Sequence, residues 1–170
     1  MSREVINLKS KLSGYRCEDL KVLNVGAGGD AVVGLPPQLR EIEFRQLDHL
    51  DAYAPALDKT RGVKWNAETV NFILEDIRNF DFSDYDLLIM FDVVEHLPKA
   101  DALDLLRKAK RAVVFIPLET GELMDGEGIP FGCHLSRWTE QEFIDLGFRT
   151  QVLKNFHDYH GHFDAMWAEK

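Results

Sequence analysis

The spacing of apolar residues changes repeatedly along this chain, and each change marks an element. Val5, Leu8 and Leu12 fall on one face of a short helix, predicted to start near Ser2 and to stop at Gly14, a usual C-terminal cap. Leu20 to Val25 is a Val- and Leu-rich run that reads as a strand, and it enters Gly26-Ala27-Gly28-Gly29-Asp30, a turn suited to cradling a ligand. Two more strand-like runs, Ile42 to Leu47 and Val70 to Leu74, end at Asp48 and at Glu75-Asp76. Tyr85 to Phe91 is apolar without alternation, as expected for a parallel strand covered on both faces by helices, and it ends at Asp92.

A helix is predicted from near Pro98, with Ala102, Leu103, Leu106 and Ala109 on one side and Asp101, Asp104, Arg107 and Lys108 mostly on the other. A buried strand over Ala112 to Ile116 follows and stops at Pro117. Strand, helix and strand with a short return make a βαβ unit, whose crossover is right-handed. Glu119 to Trp138 is glycine-bearing and aperiodic, so it reads as a long loop at the sheet rim. Thr139-Glu140-Gln141-Glu142 is a capping box opening a helix that ends at Gly147. Phe148 to Phe156 and Phe163 to Ala168 then form two strands around a hairpin loop at His157 to His162. The expected fold is one α/β domain spanning 1-170, a doubly wound, mostly parallel sheet closed by a C-terminal antiparallel hairpin.

Composition narrows what such a sheet can serve. Apolar residues make up 45% and charged residues 29%, an ordinary globular balance, and the longest apolar runs are far shorter than a membrane helix requires. No apolar leader precedes Gly14, so a cytoplasmic location is expected. A net charge of −9 opposes a nucleic-acid partner. Cys17 and Cys133 have neither CxxC spacing nor a nearby ligand cluster, and they read as reduced, structural thiols with no zinc site.

The chemistry concentrates at the carboxyl ends of the strands, where open α/β sheets bind ligands. Gly26 and Gly28 remove side chains where backbone must approach a ligand and can offer amide donors. Asp48, read as the tip of the second strand, could accept both hydroxyls of a ribose, and Asp76 could accept from an adenine amino group. Together they describe an adenosine-containing ligand lying across three strand ends. Gly26 to Ala31 also fits G-x-G-x-x-A, so a nicotinamide dinucleotide remains an alternative. Dinucleotide dehydrogenases generally add a substrate-binding segment, however, and none is expected here.

Over about residues 20 to 168 the chain resembles the class I S-adenosylmethionine-dependent methyltransferases. Val22-Leu23-Asn24-Val25-Gly26-Ala27-Gly28 is similar to the family's first motif, Asp48 to its ribose-binding acid, and Glu75-Asp76-Ile77 to its adenine-binding segment. Tyr85 to Leu97, with Asp92-Val93-Val94-Glu95-His96-Leu97 at its end, is similar to the fourth-strand motif. The resemblance implies a seven-stranded Rossmann-like sheet, S-adenosylmethionine as cofactor, and cofactor contacts from Asn24, Gly26, Gly28, Asp48, Asp76, Ile77 and Asp92. Asn24 stands where the family usually has an acid, and Asp30 replaces its third glycine.

Methyl transfer mainly requires alignment of acceptor, methyl and sulfur, with a base only where the acceptor must lose a proton. His96 and His134 are the catalytic candidates, with His157, His160 and His162 on the hairpin loop as further ones; that loop histidine cluster reads as solvated, and no metal is expected. Asp92-Val93-Val94 lacks the Pro-Pro-aromatic pattern that resembles methylation of exocyclic base amines. A small-molecule acceptor is therefore expected, with a non-catalytic S-adenosylmethionine- or nucleoside-binding module as the alternative. Trp138 and Trp167 read as core or loop anchors.

Overall fold

A computed structural model describes residues 7–27, 35–118, 131–157 and 163–170. Its strands are β1 (Lys21–Val25), β2 (Phe44–Asp51), β3 (Ala67–Leu74), β4 (Leu87–Phe91), β5 (Ala112–Leu118), β6 (Arg149–His157) and β7 (Phe163–Glu169). The helices are α1 (Leu8–Lys11), α2 (Leu35–Leu39), α3 (Ala54–Arg61), α4 (Lys99–Lys108) and α5 (Glu140–Asp145). All seven strands join one sheet in the order β3-β2-β1-β4-β5-β7-β6. Pairings among β1 to β5 are parallel, whereas β7 runs antiparallel to both β5 and β6. The doubly wound sheet with its C-terminal antiparallel hairpin is thus as predicted.

Both faces of this sheet are buried, which is why β1, β4 and β5 carry apolar runs with no alternation. One face packs Val22, Leu47, Leu87, Ile89, Phe115 and Trp167; the other packs Leu23, Leu88, Met90, Val114, Phe143 and Met166. Trp138 and Trp167 are buried, as expected. The α5 capping box is present: Glu142 Oε2 accepts from the Thr139 N–H at 2.9 Å, and Thr139 Oγ1 accepts from the Glu142 N–H at 3.4 Å. Among the described residues no helix is long and apolar enough to cross a membrane.

Several boundaries differ from the sequence reading. The first helix is a short one, with Asn7 as its N-cap, and the predicted start near Ser2 lies outside the described residues. Helices α2 and α3 were not expected at all. Strand β5 continues through Pro117 to Leu118. The Phe115 carbonyl accepts from the Asp92 N–H, so the polar groups of alternate residues Phe115 and Pro117 face β4; that strand ends at Phe91, and the missing proline N–H breaks no ladder bond.

The largest correction concerns β2. The run expected to end at Asp48 continues to Asp51, because the polar residues that read as a terminus are paired inside the sheet. Asp48, only 2% exposed, accepts from Tyr85 Oη at 2.6 Å, Asn71 Nδ2 at 2.8 Å and Gln46 Nε2 at 2.8 Å. Next to it, fully buried His49 meets Asn24 Nδ2 through Nδ1 at 3.1 Å and lies between Trp65 and Phe72. Asp48 is therefore not at a strand tip.

Candidate active site at the carboxyl edge of the sheet

From β1 the chain proceeds outward on one side to β2 and β3, and on the other side to β4 and β5. The crevice of such a sheet opens beyond the carboxyl ends of β1 and β4, where the order reverses. Gly26, immediately after β1, has φ 67°, and a Cβ built on it would lie 2.5 Å from Val93 Cγ2. No side chain fits there. Its N–H donates to the Leu50 carbonyl, and the Glu75 N–H donates in turn to the Asp51 carbonyl. The ends of β1, β2 and β3 are thereby tied into one arc. Helix α3 braces the arc from outside, as Thr60 Oγ1 donates to the Ala27 carbonyl at 3.0 Å.

The carboxylate at the tip of β2 in this arc is Asp51, which the sequence reading passed over. It is half-buried, and its Oδ1 accepts from the Tyr53 N–H at 2.8 Å, a turn that starts α3. Pro55 at the start of that helix was the available signal. At the tip of β3, Asp76 is gripped by Arg78, whose Nε lies 3.0 Å from each carboxylate oxygen and whose Nη2 lies 2.5 Å from Oδ2. That grip holds the Asp76 carboxyl below its ordinary range. Ile77 is buried beside it, and a cleft of about 540 Å³ opens between residues 77–83 and α4, with Ile77 and Leu97 among its walls. Asn24 is 7% exposed and engaged with His49, whose pKa burial lowers to about 4 against the raising effect of Asp48. His49 is neutral, so its Nδ1 accepts and the Asn24 amide donates. Gly28 and Asp30 lie outside the described residues.

Beyond β4 the second half of the edge begins with Asp92, in the left-handed region at φ 50°. Its Oδ1 is shut off from solvent with no hydrogen-bond donor in reach. Burial pushes the Asp92 carboxyl up to about 7, opposed by a hydrogen bond with Glu95. A single 3-10 turn, Val94–His96, follows and contains Glu95, 1% exposed. The Glu95 carbonyl accepts from the N–H groups of Leu135, at 2.7 Å, and Ser136, at 3.0 Å. Ser136 Oγ donates to the Val94 carbonyl and accepts from Trp138 Nε1.

These bonds bring the two histidines singled out in the sequence together, their ring centroids 4.6 Å apart. His134, in the segment read from the sequence as a long loop at the sheet rim, is buried at 6% exposure; His96 is half-buried. Cys17 is buried as expected, but Cys133 is exposed and serves through its carbonyl, which meets His96 Nδ1 at 3.1 Å. His157 closes β6, and His160 and His162 lie outside the described residues.

A sheet of this order, with a glycine turn after β1 and carboxylates after β2, β3 and β4, has the fold of the class I S-adenosylmethionine-dependent methyltransferases. The likeness is to solved structures. Magnesium protoporphyrin IX methyltransferase from Synechocystis PCC 6803, with SAH bound, matches with a TM-score of 0.60 at 18% identity over 95% of this chain and 79% of that one. The 1,6-didemethyltoxoflavin-N1-methyltransferase of Burkholderia thailandensis, bound to 1,6-didemethyltoxoflavin and S-adenosylhomocysteine, matches with a TM-score of 0.63 at 17% identity over 96% and 74%. The N-methyltransferase NodS from Bradyrhizobium japonicum, in complex with S-adenosylhomocysteine, matches with a TM-score of 0.58 at 16% identity over 95% and 81%. No protein-family profile matches the chain, and no curated protein does.

Proposed function

We propose that this protein binds S-adenosylmethionine and transfers its methyl group to a small-molecule acceptor, as a single domain over 1-170. The observation that carries this reading is the arc of strand ends at Gly26, Asp51 and Asp76, held together by backbone hydrogen bonds and facing the crevice where the sheet order reverses. The residues present suit the cofactor: Gly26, at φ 67°, turns the chain where β1 meets the crevice, with Val93 packed where a side chain would stand. Asp51, at the tip of β2, takes the ribose hydroxyls in place of Asp48. Ile77 and Leu97 flank the adenine, with the Asp76 carboxylate, oriented by Arg78, at its edge. Asn24 donates to His49 beneath the methionine end, and Asp92 closes the floor.

Bound S-adenosylmethionine supplies an electrophilic methyl on a sulfonium whose charge disappears on transfer. The chain's own task is to fix the acceptor in line and shut out water. His96 and His134 stand on the acceptor side of the edge, beyond β4, and are the groups to hold or deprotonate that acceptor. The neighbours' acceptors, a magnesium porphyrin and a toxoflavin precursor by their names, suit a small molecule.

Calorimetric titration with S-adenosylmethionine, S-adenosylhomocysteine and NAD tests the reading. Binding of the first two and not the third is expected, and binding of NAD alone would overturn it. Binding without turnover across a panel of acceptors would favour a non-catalytic binding module, which the uncharged Asn24 motivates.

A further inference from the structure

Glu95, His96 and His134 each offer one metal-ligating atom, and these three atoms lie within 4.8 Å of one another. Donors on one tetrahedral ion at about 2.0–2.2 Å stand about 3.3–3.6 Å apart, so a pair at the outer limit closes by a little over about 1 Å, which side-chain rotation supplies. The cluster is built rather than incidental. Glu95 is 1% and His134 6% exposed, and the two N–H groups donated to the Glu95 carbonyl fix the segment carrying His134 against the turn carrying Glu95 and His96.

Two further observations point to a cation. His96 Nδ1 meets the Cys133 carbonyl at 3.1 Å; a carbonyl only accepts, so Nδ1 carries the hydrogen and Nε2 keeps the lone pair. In the neutral ring that leaves Nε2 as the ligating atom, and a backbone carbonyl on the far nitrogen is the usual orienting partner of a metal-bound imidazole. Asp92, whose carboxyl is hydrogen-bonded with that of Glu95, has a solvent-excluded Oδ1 with no donor in reach, so a second carboxyl is packed directly beside the cluster.

We infer that Glu95, His96 and His134 form a binding site for a divalent transition-metal ion, with Asp92 beside it. Two imidazoles and one carboxylate suit zinc, cobalt, iron or manganese better than the all-oxygen set of magnesium or calcium, and three protein ligands leave positions open. The sequence alone suggested no metal, because the two histidines are far apart along it. The site lies on the acceptor half of the edge, so its open positions can take an acceptor oxygen; that consequence alone rests on the methyl-transfer reading.

Cobalt(II) titration of the chelator-stripped full chain, followed by visible ligand-field absorption and by metal analysis after dialysis, tests the site without any activity. One ion per chain is expected, with zinc competing it out. His134→Ala and His96→Ala should each weaken cobalt binding at least tenfold, and Asp92→Asn should weaken it less. His96 is half-buried, so His96→Ala keeps the test open should the His134 variant fail to fold. No cobalt band in the wild-type chain, or equal binding by the folded His96→Ala and wild-type proteins, would overturn the site. Either result would leave the cofactor titration untouched.

Discussion

The two halves of the carboxyl edge handle polar groups in opposite ways. Under β1 to β3 they lie inside the sheet: Asp48 is capped by Tyr85, Asn71 and Gln46, and Asn24 is paired with His49, all below the strand tips. Under β4 the strand is apolar throughout, and past its end Glu95 and His96 meet His134, with Asp92 beside Glu95. In the first half the buried polar residues stabilise a scaffold that holds up a ligand arc. In the second, on the proposed reading, they stand on the acceptor side of the crevice. Substitutions in the two halves should therefore separate stability from binding.

The sharpest break concerns Asp48. Replacing it with Ala leaves the buried Tyr85 hydroxyl without its acceptor and dismantles a three-donor network, which should lower stability by about 3–4 kcal/mol in chemical denaturation. Affinity of the folded fraction for S-adenosylmethionine should hardly change. A tenfold loss of affinity with full stability would instead return Asp48 to the ligand.

His49 gives the next effect, and its sign follows from burial. The folded pKa is lowered to about 4, so the unfolded chain takes up a proton near pH 6.5 while the native ring stays neutral. Its contribution is present above about pH 6.5 and is lost as pH falls from there through about 4. Stability should drop by about 2 kcal/mol between roughly pH 7 and pH 5. His49→Gln keeps an acceptor for Asn24 without a titrating ring, and its curve should be flatter over that interval. An unchanged slope would remove His49 as the cause.

Asp51→Ala makes the reciprocal comparison with Asp48. A strand-tip carboxylate that receives ribose hydroxyls should weaken S-adenosylmethionine binding about tenfold when removed, about 1.4 kcal/mol, with the melting temperature shifted little. The same affinity in the folded variant would sink the ribose assignment.

Apolar runs made most of the sheet legible. β1, β4, β5 and β7 read as strands to within one or two residues at their ends, and the capping box marked α5. What failed was polarity inside a strand: Asp48 and His49 look like a terminus until Tyr85, Asn71 and Asn24, from other strands or their approaches, are seen to satisfy them. Ending β2 early hid Asp51 and the start of α3 with it. The meeting of His96 and His134 was unreadable for a different reason. It depends on backbone hydrogen bonds from Leu135 and Ser136 to Glu95, and backbone amides leave no trace in side-chain pattern.

The smallest expected effect tests whether the arc is braced from outside. Thr60 Oγ1 lies 3.0 Å from the Ala27 carbonyl and 3.1 Å from the Ala56 carbonyl, so a single hydroxyl hydrogen is shared between the glycine turn and the helix's own preceding turn. Thr60→Val preserves shape and β-branching and removes only that hydrogen. If the shared bond holds the turn, stability should fall by about 1 kcal/mol, and S-adenosylmethionine affinity should fall two- to threefold because the ligand must then order the turn itself. Equal affinity alongside the same loss of stability would show that the hydroxyl serves α3 alone and that Gly26 is positioned by β1, Leu50 and Val93 without it.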